Sequence, residues 1–197
     1  MINEFKYQKN WKIMDVWSDT DHAGCLETRK STTGGVITFG GHAIKHWSST
    51  QTLISLSSGE AEYYGCVRAG SHALGVRSML EDLGVTGKRL RIKTDASVAK
   101  SLASRRGLGG IRHIEVNQLW LQEKVNAGII EIEKVRGDIN RADPLTKPKD
   151  GPCLKAHLAA LDQHLSAGTH ELAPKLSLPD LLDELNEEGD EEEKTNE

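Results

Sequence analysis

Four carboxylic acids stand where the chain changes character: Asp19 in DVWSDTDHAG, Glu62 in SSGEAEYYG, Asp95 in RLRIKTDAS and Asp143 in INRADPLTK. Ordering carboxylates close together costs free energy unless a positive charge sits among them. Hard divalent cations are the usual answer, because Mg²⁺ takes oxygen ligands and keeps several of its waters. Two such ions roughly 4 Å apart activate a water and stabilise a leaving oxygen, the chemistry of phosphodiester hydrolysis. Each acid alone also suits a plainer role as a strand-end turn, a helix start or a helix cap. It is their number in one small domain that points to a site.

Three of them have a rival nearby. Asp21 competes with Asp19, since residues two apart share a strand face, but a turn after Ser18 favours Asp19. Glu60 and Glu62 lie about 200° apart around a helix, so one of them alone can face the sheet; Glu62 shares its side with Cys66 and Ala69. Asp138 competes with Asp143, and Pro144 beside Asp143 suits the first turn of a helix.

The elements that would carry these acids follow from hydrophobic periodicity. Lys12–Ser18 reads as a first strand, and 32–47 as two strands joined at Gly40–Gly41, a two-glycine hairpin signal. A long helix is expected from about Gly59 to Leu83, its stripe Tyr63, Val67, Gly70, Leu74, Leu80 and Leu83 mostly keeping a rhythm of three to four residues before Gly84 stops it. Arg89–Asp95 alternates as a strand, 96–104 as a short helix, 111–126 as a second amphipathic helix and 129–135 as the last strand, with a short helix starting near Asn140. The order β-β-β-α-β-α-α-β-α implies an α/β fold. Three antiparallel strands and two parallel additions would form a mixed five-stranded sheet flanked by helices.

Composition narrows the classes. At 37% hydrophobic and 27% charged residues the 197-residue chain suits a soluble globular domain with extra sequence. The three cysteines, Cys25, Cys66 and Cys153, form no CxxC pair, which reads as free thiols in a reducing compartment. No apolar run approaches the roughly 18 residues of a membrane span, and the N-terminus has no signal-like apolar core. An intracellular protein, cytoplasmic or nuclear, is expected. The net charge of −4 is misleading, because 178–197 (LPDLLDELNEEGDEEEKTNE) is densely acidic and leaves the remainder mildly basic. The organisation expected is a domain over 10–150, a helical appendage or linker over 151–177, and a disordered acidic tail over 178–197. The eight histidines show no ligand spacing, so zinc is not expected, and the serine pairs Ser48–Ser49 and Ser57–Ser58 have no recognisable histidine–acid relay.

The stretches SDTDHAGCLETRKSTTGG, WSSTQTLISLSSGEAEYYG, IKTDASVAKSLA, RHIEVNQLWLQEKV and RADPLTK resemble the ribonuclease H domain of copia-type retrotransposon Pol polyproteins, in order, from about Val16 to Lys147. The resemblance implies a ribonuclease H-like fold and places its carboxylate set on Asp19, Glu62, Asp95 and Asp143. It further implies two Mg²⁺ ions, with Mn²⁺ as an alternative, and no small-molecule cofactor. The implied reaction is cleavage of the RNA strand of an RNA–DNA hybrid during reverse transcription, beside an upstream reverse transcriptase region of the same polyprotein. Two features depart from the pattern. Cellular ribonucleases H often carry a histidine before the last acid, and VRGDINRAD has none; His113 belongs to the copia-type motif but has no derivable role. The helix motif NQLWLQEKV is also less basic than usual.

For substrate grip, Arg29, Lys30, Lys45, Arg105, Arg106 and Arg112 lie in or near loops and hairpin ends. A hybrid is held through phosphates and 2′-hydroxyls rather than base edges, so KSTTGG and SSTQT are candidates for neutral contacts. Taken singly, each of these residues also reads as an ordinary solvated turn residue. A competing expectation is a catalytically idle, retroelement-derived module that only binds nucleic acid. A transposase-like relative is disfavoured, because those enzymes use a late glutamate and here the last acid is Asp143.

Overall fold

The strand that ends in DVWSDTD is the centre of the molecule. In the computed structural model, which describes residues 2–7, 12–107, 114 and 116–165, strand β1 runs Ile13–Asp21 and is buried along almost its whole length. Such a run marks a strand covered on both faces. It pairs antiparallel with β2 (Thr32–Phe39), which pairs antiparallel with β3 (His42–Thr50). The connecting turn is Gly40–Gly41, whose φ angles of 63° and 105° are the left-handed geometry a two-residue hairpin requires.

On its other side β1 pairs parallel with β4 (Arg89–Thr94), and β4 pairs parallel with β5 (Ile130–Lys134). The sheet order is therefore β3-β2-β1-β4-β5, three antiparallel strands and two parallel additions. The structure extends β1 to Asp21 rather than ending it at Ser18, because Thr20 and Asp21 pair with Thr33 and Thr32 of the hairpin.

Helix α1 (Ser58–Asp82) crosses one face. Ser57 caps it by accepting from the Glu60 amide, while the Glu60 carboxylate accepts from the Leu56 amide at 3.0 Å, a variant of the capping box. Tyr63, Cys66, Ala69 and Ala73 pack from α1 onto Met14, Val16, Ile37, Leu90, Ile92 and Ile130. Helices α2 (Ser97–Ser104) and α3 (Trp120–Asn126) complete that layer. The expected helix over 111–126 is described only from its later part, as a 3-10 turn at Val116–Leu119 leading into α3.

The opposite face is thinner. Trp17 and Val36 meet Ala142 and Leu161 there, beside α4 (Gly151–Ala159). Where a short helix near Asn140 was expected, two 3-10 turns stand instead, Gly137–Ile139 and Asp143–Leu145, since Asn140 turns its side chain inward at 0% exposure to bond backbone. A two-residue ladder joins Ile2–Asn3 to Gln163–His164. One unit covers Met1–Leu165; the acidic stretch 178–197 lies outside the described residues.

Candidate active site

Three of the four acids converge. Asp19, Glu62 and Asp95 each offer an oxygen, and these oxygens all lie within 4.8 Å of one another. Asp19 comes from the middle strand and is 1% exposed. Asp95 follows the last residue of β4, the parallel neighbour of β1. Glu62 comes from the first turns of α1, which lies so close to β1 that a Cβ on Gly65 would stand 2.6 Å from Thr20 Oγ1. Helical phase separates the two glutamates as expected. Glu60 is taken up by the helix cap and accepts the Tyr64 hydroxyl at 2.6 Å, whereas Glu62 turns to the carboxylates. Asp21 stays outside the cluster, its carboxylate folded over the turn at Gly24.

Asp143 approaches from the other side. It opens the 3-10 turn that leans on β2 at Gly34, the residue paired with Asp19; a Cβ on Gly34 would come within 2.8 Å of Leu145 and Thr146. The bare backbone there lets Thr146 Oγ1 donate a hydrogen bond to Asp19. Asn140 fixes the start of this loop, its amide donating to the Ser18 carbonyl at 3.0 Å and its oxygen accepting from the Ala142 amide at 3.2 Å. Asp143 is not one of the three converging acids. It is ion-paired with Lys149 and with Lys147, the latter at 3.4 Å, and Lys147 also stands 3.6 Å from Asp19.

The electrostatics follow from this crowding. Burial, then the charges of Asp19 and Asp95, push Glu62 up to about 8. Burial raises Asp19 as well, against the Thr146 hydrogen bond and the Lys147 charge. Burial disfavours the Lys147 ammonium, yet Asp19 and Asp143 outweigh it and hold its pKa above the ordinary lysine value. Cys66, fully buried beneath the site, is pushed far up by burial and by Glu62, and it is not one of the clustered donors.

The donor set itself tests whether a divalent cation suits this place. It is all carboxylate oxygen, and Glu62 Oε2 is buried with no hydrogen-bond partner. Hard oxygen donors with one buried oxygen left unsatisfied fit a hard divalent cation.

The candidate substrate residues are less gathered. Arg29, exposed and at φ 55°, and the half-buried Lys30 sit in the loop after β1. Lys45 lies on the edge strand β3, and Arg105 and Arg106 follow the far end of α2. No described contact joins any of them to the acids. Arg112 and His113 lie outside the described residues. Thr146, Lys147 and Asn140 were not singled out from the sequence, although all three lie in or beside RADPLTK.

No protein-family model matches the chain. Over 136 residues, 68% of its length, it is 32% identical to the retrovirus-related Pol polyprotein from transposon TNT 1-94 of Nicotiana tabacum. Over 146 residues, 73% of its length, it is 27% identical to that from transposon RE1 of Arabidopsis thaliana. In each case the match spans only 10% of the relative. Among solved structures it is similar to LC11-RNase H1, isolated from compost, at 17% identity and TM-score 0.45, covering 68% of this chain and 92% of that one. A second is the N-terminal RNase H domain of a Mycobacterium tuberculosis protein, at 14% identity and TM-score 0.45, covering 75% and 97%.

The sheet order and its flanking helices define the class, a ribonuclease H-like fold. Within that class the chain is a homologue of retrotransposon Pol polyproteins, in line with the copia-type ribonuclease H domain that its motifs resemble.

Proposed function

We propose that the chain is a metal-dependent endoribonuclease that hydrolyses the RNA strand of RNA–DNA hybrids, as the ribonuclease H part of a retrotransposon Pol polyprotein in reverse transcription. One observation carries the reading: the half-buried cluster of Asp19, Glu62 and Asp95, with Glu62 Oε2 unpartnered. Such a cluster stays crowded unless Glu62 keeps its proton or a cation takes that proton's place. LC11-RNase H1, a structural neighbour, is known in complex with an RNA/DNA hybrid.

Asp19, Glu62 and Asp95 would hold one divalent ion, and Asp19 with Asp143 a second. Bound there, Mg²⁺ or Mn²⁺ supplies Lewis-acid activation of the attacking water and stabilises charge on the departing oxygen. The protein's own groups set the geometry. Thr146 steadies Asp19 through its hydrogen bond, and Asn140 ties the Asp143 turn to β1. Glu60 holds the start of α1, and so the direction of Glu62. Arg29, Lys30, Arg105, Arg106 and Arg112 are the proposed phosphate contacts, in an intracellular setting beside a reverse transcriptase region. Among the described residues no helix is long and apolar enough to cross a membrane.

One observation favours a second reading, the catalytically idle nucleic-acid-binding module: Asp143 is occupied by Lys147 and Lys149. Cleavage of a labelled RNA–DNA hybrid with Mg²⁺, beside single-stranded RNA, duplex DNA and an EDTA control, separates the two. Metal-dependent cutting confined to the hybrid is the expected result. Hybrid binding without cutting would establish the idle module instead.

A further inference from the structure

The carboxylate cluster already contains a cation, and it belongs to the chain. Lys147 Nζ lies 3.6 Å from Asp19 Oδ2 and 3.4 Å from Asp143 Oδ1, spanning the two acids that would share the second ion. The other half of the cluster differs. Glu62 Oε2 has no hydrogen-bond partner, and among the described residues neither Glu62 nor Asp95 has a lysine or arginine paired with it.

A divalent ion contacts its carboxylate oxygens at about 2.1 Å, whereas the ammonium group sits within 4 Å of those same oxygens. Both cannot occupy the gap, since two cations sharing the same oxygens repel. Lys147 has somewhere to go, because its side chain is 45% exposed and rides on a flexible four-carbon stem. It is also bound to return. The Lys147 amide bonds the Asp143 carbonyl at 3.3 Å within one turn, so its ammonium stays at high effective concentration beside the acids. Lys149, on the other oxygen of Asp143, can keep its place.

We propose that Lys147 is a resident counter-cation of the Asp19–Asp143 half of the site. An ion entering that half displaces its ammonium from both Asp143 and Asp19, while at the Asp19–Glu62–Asp95 half the lysine meets Asp19 alone, and Glu62 and Asp95 carry no paired lysine to expel. The two halves therefore fill unequally, and Lys147 sets the divalent-ion concentration at which the second fills. This rests on the two-ion reading above.

The test is a Mg²⁺ titration of the full chain followed by thermal unfolding, for the parent, Lys147→Met and Lys147→Arg. In EDTA, Lys147→Met melts below the parent, because the acids lose their counter-charge. Its later Mg²⁺ step has a midpoint about three- to tenfold lower than in the parent, the scale of a half-exposed ion pair. Lys147→Arg returns the midpoint toward the parent value. Independently, acylation of the parent read residue by residue by mass spectrometry shows Lys147 protected in EDTA and more reactive in Mg²⁺, with solvent-facing Lys100 as reference. Equal midpoints for parent and Lys147→Met, or a Lys147 reactivity indifferent to Mg²⁺, would overturn the inference and leave the two-ion reading standing. Absence of any thermal response to Mg²⁺ in all three chains would remove both.

Discussion

Asp15 and Asp19 lie four residues apart on the same strand, yet they live in opposite electrostatic settings. Asp15 is met by β4: Arg91 bonds it at 2.7 Å and Lys93 at 3.3 Å, and Arg91 continues to Glu133 on β5 at 3.0 Å. The cations there belong to the neighbouring strand and remain in place. Asp19 is met by more acids, with a threonine hydroxyl and a lysine from a turn as its relief among the described residues. The first aspartate is satisfied by the fold. The second is assembled into repulsion that the fold alone leaves incompletely neutralised, and such an arrangement persists where something external completes it.

Neutralising each aspartate in turn should separate the two settings most widely. Asp19→Asn and Asp95→Asn should reduce hybrid cleavage to background while leaving the fold intact, with slightly raised stability in EDTA. Asp15→Asn should cleave normally and lose about 1–2 kcal/mol in urea unfolding as its Arg91 and Lys93 partners are stranded. Normal cleavage by Asp19→Asn would remove the site from this end of the strand.

A smaller effect sharpens the contrast through pH. The Glu62 carboxyl is raised from 4.5 to about 8 by burial and by its acidic neighbours, so the folded state binds its proton more tightly than the unfolded state does. The stability this confers is fully present below the unfolded pKa and is lost as pH rises through about 8. In metal-free buffer, Glu62→Gln should flatten that decline and exceed the parent by on the order of 2 kcal/mol at the alkaline end. Saturating Mg²⁺ should reverse the ranking. Parallel pH profiles for the two proteins would mean the cluster is not under charge strain.

The smallest effect concerns the acidic stretch at 178–197. Removing the stretch from Leu178 onward should shift neither cleavage nor stability by more than about 0.5 kcal/mol. A larger loss would show that the acidic stretch contributes to the folded unit.

What could be read in advance follows from how locally each feature is encoded. The element order was legible because β4 and β5 carry their own alternation and the hairpin its own Gly–Gly turn. Glu62 was separable from Glu60 because helical phase is a local property. The reach of β1 past Ser18 was hidden, since it depends on pairing to Thr32 and Thr33, residues whose register no single segment announces. The turn of Asp143 departs from the expected helix for a similar reason: Asn140 bonds a carbonyl 122 residues away, and that bond overrides a favourable Pro at the first helical position. Thr146 and Lys147 went unnoticed because a hydroxyl and an ammonium read as surface residues until Gly34 lets their turn settle against the sheet.

The short ladder between Ile2–Asn3 and Gln163–His164 has a mechanical consequence. The incoming and outgoing chain are gripped side by side, helped by the Glu4 amide bonding the Asp162 carbonyl at 2.9 Å. Tension along a longer polypeptide would therefore load this small clasp first. It would peel open one rung at a time before any force reached the five-stranded sheet, so a tug on the tether need not distort the carboxylates that the sheet holds in register.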